Sequence, residues 1–441
     1  MSRPKKIVLI SVLSVVALLI AFVCYHYVLY LKATNRMEEL SADLEERISE
    51  WEKKEYKRQP LFGPAIPGNA AEYYNKAGQE SKSFEFTIKT GMQMDYAAEH
   101  PDAPISPELK AHLAHIKGIF DECMTGANAQ TYKSLLNLRG DGWEENTSGL
   151  GAIRKTVKLA AIQTRLLIKD GKVSEAFKLS CSMNRLGDDM CRRGTLINAL
   201  VGIALSAVSQ TELLWCLNSN EFSEPQLSEL RLYLQALFDS EPSFQGIFET
   251  ESLYIEAILR QTSGKCGLMP KENEFGFGPA YVNRTDIVDA WQEYIPHIKE
   301  LVRIISLPYA QMDAESGRFN KQIDIESMDT LSQVIIPSTG NMHKSYYMIK
   351  AQRRGLYILT ALKLYKARHQ KYPDKLSDLA PDIINDIPLD PFTDQPFIYK
   401  VNQDGTILLY SVGTNLKDDN GDDKKDNDIV ITPYRRWQER K

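Results

Sequence analysis

The sequence predicts a mainly α-helical protein with an N-terminal transmembrane helix, a helical ectodomain and a small C-terminal α+β module, which combines a long helix with an antiparallel sheet. Three observations support this prediction. An uncharged apolar run lies close to the N-terminus, and apolar residues recur at helical spacing through most of the chain. Near the C-terminus the pattern changes to short apolar runs separated by turn residues.

The apolar run covers residues 7–31 and contains no Asp, Glu, Lys or Arg. A helix needs about 20 apolar residues to cross a bilayer. Arg3, Lys5 and Lys6 precede the run, and this excess of basic residues favours a cytoplasmic N-terminus. We therefore predict a cytoplasmic tail at 1–6 and an uncleaved, single-pass anchor in the inner membrane, with the bulk of the chain extracytoplasmic.

Residues 35–58 are predicted to form an amphipathic helix that continues the anchor as a stalk. Its apolar residues recur at spacings of three and four, at Met37, Leu40, Leu44, Ile48 and Trp51. Residues 59–338 then predict a helical extracytoplasmic domain, in which helical patterns alternate with Pro- and Gly-containing breaks. Within it, 132–138 is predicted as a short helix. The segment 196–217 is apolar nearly all round, which is typical of a buried central helix.

The composition argues against some functions, and no motif in the sequence identifies an enzymatic activity. The chain has 53 basic and 58 acidic residues and a net charge of −5, with no clustered cationic stretch, so we do not expect it to bind nucleic acid. The sequence contains no Gly-x-Ser-x-Gly, His-Glu-x-x-His, P-loop or dinucleotide motif. Tyr73, Tyr74 and Trp143, or alternatively the aromatic loop 275–281, are candidates for lining a ligand groove, although scattered aromatic residues more often belong to a core.

Residues 339–433 predict the α+β module, and 434–441 form a basic tail. A long helix is predicted at 341–368, because apolar residues recur there on one side. Two apolar runs flank an Asn-Gln-Asp-Gly turn at 402–405, which predicts a β-hairpin, and a final strand is predicted at 428–432.

Six sequence elements in this module, in the same order and at the same spacing, resemble the soluble part of type II secretion major pseudopilins. They are 361–366, 371–373, Leu376, 388–392 with 395–399, 409–413, and 428–429. The resemblance implies a helix packed on a small antiparallel sheet, followed by a loop that binds calcium in that family. A pseudopilin assembles through its own cleaved N-terminal helix. This module lies far from an unprocessed N-terminus, so we do not expect it to polymerise in the same way.

The loop that would bind calcium, 413–429, contains six Asp and three Asn. The resemblance places the calcium ligands at the Val412 carbonyl and at Asn415, Asp426 and Asp428. Two features differ from the family: Asn415 replaces the usual aspartate, and the loop is several residues longer. A solvated acidic loop without a metal ion is therefore the alternative interpretation.

Together these features predict a membrane-anchored envelope protein that acts as a non-enzymatic interaction or scaffold component linked to type II secretion. Its predicted partners are the membrane and envelope or secretion-system proteins, and its predicted cofactor is a structural calcium ion. The alternative is a membrane-anchored, metal-dependent extracytoplasmic enzyme of unknown substrate, which would use the acidic loop or the central helical domain.

Overall fold

The computed structural model describes residues 3–82, 88–100, 103–139, 150–263, 267–268, 281–282, 284–322, 342–424 and 428–433, with side chains from Ile20 onward except for some beside these breaks. The protein is mainly helical and has a small antiparallel sheet near its C-terminus, which confirms that part of the predicted fold class.

The helices in the described residues are α1 (Arg3–Lys53), α2 (Ala70–Lys82), α3 (Ile88–Glu99), α4 (Pro107–His115), α5 (Lys117–Ala127), α6 (Leu150–Lys169), α7 (Val173–Arg193), α8 (Leu196–Ser219), α9 (Glu224–Phe238), α10 (Phe244–Ser263), α11 (Arg284–Ile305), α12 (Tyr309–Gln322) and α13 (Met342–His369). The strands are β1 (Tyr56–Lys57), β2 (Ile66–Asn69), β3 (Ala129–Tyr132), β4 (Gly267–Leu268), β5 (Tyr281–Val282), β6 (Ile398–Val401), β7 (Ile407–Ser411) and β8 (Ile429–Thr432).

Helix α1 is 51 residues long, and its C-terminal half is built into the body of the protein. The apolar side predicted from spacing is buried there against α10 and α11, together with Ala33. The helix ends at Lys53, where the Arg193 side chain donates to the carbonyl oxygens of Trp51 and Lys54. The segment predicted as a stalk therefore forms one wall of the body, and its end is capped by a residue of α7.

A small mixed sheet joins the end of α1 to the first helices of the body. Strand β3 pairs antiparallel with β1 and parallel with β2. The short helix predicted at 132–138 is wrong, because Tyr132 ends β3 and the residues after it have no regular structure. The side-chain amide of Asn69 both donates to the Lys133 carbonyl, at 2.9 Å, and accepts from its N–H, at 2.8 Å, which holds this backbone extended.

Helices α7 and α8 pack closely because glycines meet at their crossing. A Cβ atom added to Gly202 would lie 2.4 Å from the carbonyl oxygen of Gly187 on the facing helix. Among the residues whose side chains are described, from Ile20 onward, α8 is the one helix long and apolar enough to cross a membrane, and 61% of its most apolar window is buried. Such burial is expected of a central core helix, since the core of a soluble domain supplies the same apolar contacts.

Helix α13 connects the body to the C-terminal sheet. One side of α13 contacts α8 and α9, and the other contacts β7 and β8. Gly355 permits close approach to the sheet, because a Cβ atom there would lie 2.4 Å from the Ile431 side chain. The sheet has the order β6-β7-β8 and is antiparallel throughout. Leu214 of α8, Leu359 of α13 and Leu409 of β7 belong to one apolar cluster, so the module and the body share a core.

Candidate functional site

The acidic loop between β7 and β8 folds back over one face of the C-terminal sheet. Side chains alternate along β7, so Leu408 and Tyr410 lie on the face opposite Leu409, which packs toward α13. The Tyr410 hydroxyl donates to Asp418 at 2.8 Å. A Cβ atom on Gly421 would lie 3.3 Å from the Leu408 methyl groups, so the loop backbone covers this residue. The loop therefore closes the outer face of the sheet.

Asp428 fixes the loop in place. Its side chain is buried, and its two oxygens accept the backbone N–H groups of Asp419, at 3.3 Å, and Gly421, at 2.6 Å. Its own N–H donates to the Asp422 carbonyl at 3.0 Å. Burial raises the pKa of Asp428, and the two N–H donors oppose this effect. One carboxylate therefore organises much of the described part of the loop.

The structure brings two of the predicted calcium ligands together at Asp419. The Asn415 amide donates to the Asp419 carboxylate at 2.7 Å, while Asp428 accepts the Asp419 N–H. The third, Val412, donates its N–H to Asp390 at 3.1 Å, just before the loop begins. Asp426, the fourth predicted ligand, lies outside the described residues. Sequence reasoning missed Asp419, because it falls in the stretch by which this loop exceeds the family's length.

The described loop residues do not by themselves form a complete calcium site. Calcium needs six to eight oxygen ligands. Among the described residues, no group of three or more His, Cys, Asp or Glu side chains is placed to hold a metal ion. The Asn415 side-chain oxygen accepts the Lys417 N–H at 2.9 Å, and both Asp428 oxygens accept N–H groups. These oxygens are therefore already engaged in hydrogen bonds within the described part of the loop.

A second polar site lies inside the body, where α7 carries buried charges that the sequence reasoning did not identify. Asp189 has no exposed surface and binds three groups, the Arg58 guanidinium at 3.0 Å, the Tyr74 hydroxyl at 2.9 Å and Arg192 at 3.3 Å. On the same helix Asp188 forms a buried ion pair with Arg353 of α13. We call these residues, together with Arg185, the arginine–aspartate cluster.

The cluster holds more arginines than aspartates, and helix ends supply the remaining negative charge. The last turn of a helix leaves carbonyl groups unpaired and carries partial negative charge. Arg58 donates to the carbonyls of Gly126 and Ala127 in α5, at 3.0 Å each. Arg185 donates to the carbonyl of Ala236 in α9, at 3.1 Å. Arg192 donates to the carbonyl of Ser240, just after α9. Burial lowers the pKa of Arg185 to about 10, and the Asp189 charge opposes this effect. The cluster therefore joins the C-terminal ends of helices to α7.

A cleft of about 310 Å³ opens beside this cluster, between α2, α6, α7 and α8. Tyr74 lines it, as the groove prediction proposed, whereas the Tyr73 hydroxyl bonds the Pro67 carbonyl at 3.1 Å and Trp143 lies outside the described residues. None of the described lining residues is charged. Its neutral polar side chains are Asn75, Gln79, Ser134, Asn137 and Asn198. The cleft can therefore offer hydrogen bonds, but its described lining contains no acid, base or metal ligand.

No protein-family model matches this chain, and no curated protein or solved structure matches it either. The functional conclusion therefore depends on the residues and contacts of the chain itself.

Proposed function

We propose that this chain is a single-pass membrane-anchored envelope protein, and that its extracytoplasmic body is a non-enzymatic scaffold linked to type II secretion through the pseudopilin-like module. The observation that carries this proposal is the contrast between the two parts of α1. The large apolar side chains from Ile20 to Leu31, apart from Leu29, are 42% to 64% exposed. From Ala33 onward the same helix buries its apolar side in the body.

An exposed apolar stretch of this kind is costly in water, and lipid acyl chains would cover it. Polar contacts hold the second part of α1 firmly to the body. Arg47 binds Glu256 of α10 at 2.9 Å, and the Trp51 indole donates to Thr250 at 3.2 Å. The carboxylate of Glu256 also accepts the Trp291 indole N–H of α11, at 3.0 Å. These contacts favour a membrane helix that continues rigidly into the protein.

The shared core supports the scaffold role. Packed elements lead from α1 through α10, α7 and α8 to α13 and the C-terminal sheet. A module held in this way has a fixed position relative to the anchor, which suits a protein that presents a surface to partners.

We also propose that calcium binds the acidic loop through Asn415, Asp426, Asp428 and the Val412 carbonyl, as the resemblance implies. A cation there would relieve the repulsion between the Asp428 carboxylate and those of Asp418 and Asp419.

Cysteine accessibility in intact spheroplasts tests the location and the orientation. Lys110 is exposed on α4, so a Lys110→Cys variant should react with a membrane-impermeant maleimide without lysis. A Ser2→Cys variant should react only after lysis, because the N-terminus is proposed to be cytoplasmic. The unsubstituted chain is the control for its native cysteines. Reaction of Ser2→Cys in intact cells, or recovery of the chain in the soluble fraction, would contradict the proposal.

Secretion assays test the proposed role. A strain that lacks this chain should export less of a type II secretion substrate, and the full chain should restore export. Unchanged export in the deletion strain would refute the link to secretion, independently of the membrane location. A catalytic role would be supported instead if Asp428→Asn abolished complementation while the variant kept its wild-type melting temperature.

A further inference from the structure

The first turn of α11 lies beside the part of α1 where the apolar run ends. The Arg284 side chain donates to the Thr34 hydroxyl at 3.2 Å, and its guanidinium lies 5.5 Å from the centre of the Tyr30 ring. Arg284 is the first residue of α11. The body therefore contacts α1 within one helical turn of Leu31, the last residue of the run.

The neighbouring helices place one end of the body close to the apolar run of α1. Helix α10 runs antiparallel to α1, since Trp51 contacts Thr250 while Glu45 binds Arg260 at 2.9 Å. Its C-terminal end therefore points toward the apolar run. The strands β4 and β5 connect α10 to α11 and pair antiparallel. The end of α10, these two strands and the start of α11 thus form one tip of the body.

Helix geometry gives the height of this tip relative to a bilayer. The run 7–31 spans about 37 Å at 1.5 Å per residue, which exceeds a hydrocarbon core of about 30 Å. The last turn of the run would therefore lie among the lipid headgroups, where tyrosines are enriched. Tyr30 belongs to that turn and is 49% exposed. Because Arg284 stacks on Tyr30, it lies at the same height.

We propose that the body rests directly on the extracytoplasmic surface of the bilayer, and that Arg284 binds the phosphate of a lipid headgroup. This inference rests on the proposed membrane anchor. A guanidinium group binds phosphate through paired N–H donors. Arg284 is half-buried and its Nε–H is enclosed, so the phosphate contact would be made by its Nη groups, one of which also donates to Thr34. Lys32 adds positive charge on α1, whereas Arg36 is paired with Glu39 at 2.6 Å and Asp286 contributes one negative charge nearby.

Fluorescence quenching of the full chain in phosphatidylcholine–phosphatidylglycerol nanodiscs tests the position of the body. One environment-sensitive dye is attached at each of three positions. Native Cys24 in a Cys266→Ser background reports the anchor, and Asp286→Cys in a Cys24→Ser, Cys266→Ser background reports the tip. Lys53→Cys in the same background is the matched control, because it is exposed on α1 about 33 Å beyond Leu31.

The three dyes distinguish the outcomes. We expect acyl-chain spin labels to quench the dye at 24, headgroup spin labels to quench the dye at 286, and neither label to quench the dye at 53. If the dye at 24 is quenched while the dye at 286, like the dye at 53, is not, the membrane anchor is supported and contact between the body and the bilayer surface is refuted. If 24 is not quenched by acyl-chain labels, the anchor itself fails.

Lipid-induced stabilisation tests the role of Arg284. Adding phosphatidylglycerol to the detergent-solubilised chain should raise its melting temperature, because a ligand that binds the native state stabilises it. Arg284→Gln should lose most of this rise, whereas Lys53→Gln, an exposed control on α1 far from the tip, should keep it. If Arg284→Gln retains the full rise, Arg284 only packs against α1 and the phosphate contact is refuted. If Arg284→Gln melts at a lower temperature than the wild type without lipid, that decrease measures the lost packing of Arg284 against α1.

Discussion

The buried carboxyl group of Glu251 should contribute to the pH dependence of the stability of this protein. It lies on α10, is 8% exposed, and accepts the backbone N–H of Leu196 at 2.7 Å, at the start of α8. Burial favours the neutral acid, whereas the N–H donor favours the carboxylate. Burial prevails and raises the pKa of Glu251 from 4.5 to about 7.

The size and sign of the effect follow from this shift. The folded state binds a proton more tightly than the unfolded state, so this group makes stability fall as pH rises from about 4.5 to about 7. Above that range the free-energy cost of burying the charged carboxylate no longer changes with pH. A pKa raised from 4.5 to about 7 corresponds to about 3 kcal/mol at most, because the N-terminal end of α8 also favours the charged form.

Glu251→Gln removes the titration and keeps an oxygen that can accept the Leu196 N–H. We expect the variant to melt about 3 °C above the wild type at pH 8, if a chain of this size unfolds cooperatively, and to match it at pH 5. The measurement is the melting temperature of the full chain in detergent across this range. Glu249→Gln, an exposed position on the same helix, is the control and should change neither value. A Glu251→Gln variant less stable than the wild type at pH 8 would refute the reasoning.

Three further predictions concern the cluster, the helix crossing and the loop. Asp189→Asn leaves Arg58 buried without its counter-charge, so denaturant unfolding should show a loss of about 3 to 5 kcal/mol; a loss below 1 kcal/mol would contradict the cluster's structural role. Gly202→Ala should lower the melting temperature, since overpacking costs about 1 to 3 kcal/mol, whereas Gly118→Ala, with open space at its Cβ, should raise it slightly; the reverse order would refute the close crossing. Calcium should raise the melting temperature of the wild type but not of Asp428→Asn, with magnesium as the control; no calcium-specific rise would refute the calcium proposal.

The elements with strong local patterns could be predicted from the sequence. The apolar side of α1 was identified from Met37 to Trp51, because each of its members recurs at helical spacing. The long helix predicted at 341–368 corresponds to α13, and the predicted hairpin to β6 and β7, with bounds that differ by about one residue. The turn at 402–405 defined that hairpin, since its residues favour the reversal of the chain.

The features that depend on distant partners could not be predicted. The residues that follow β3 are held extended by Asn69, which lies far away in sequence, so their own pattern wrongly predicted a short helix. The buried charges of α7 were not identified, because a sequence does not show that carbonyl groups of other helices surround them. Asp419 was missed for a related reason, since only the folded loop brings it between Asn415 and Asp428.

The embedding of α1 in the body has a mechanical consequence. A membrane helix with an apolar run longer than the hydrocarbon core tilts to keep that run in lipid, and it tilts further when the bilayer becomes thinner. A flexible linker would absorb such a rotation, but here Arg47, Trp51 and Arg193 fix the helix to the body. If α1 spans the bilayer as proposed, a change in membrane thickness would rotate the whole body and swing the C-terminal sheet through the same angle. The surface offered to partners would then depend on the lipid composition around the anchor.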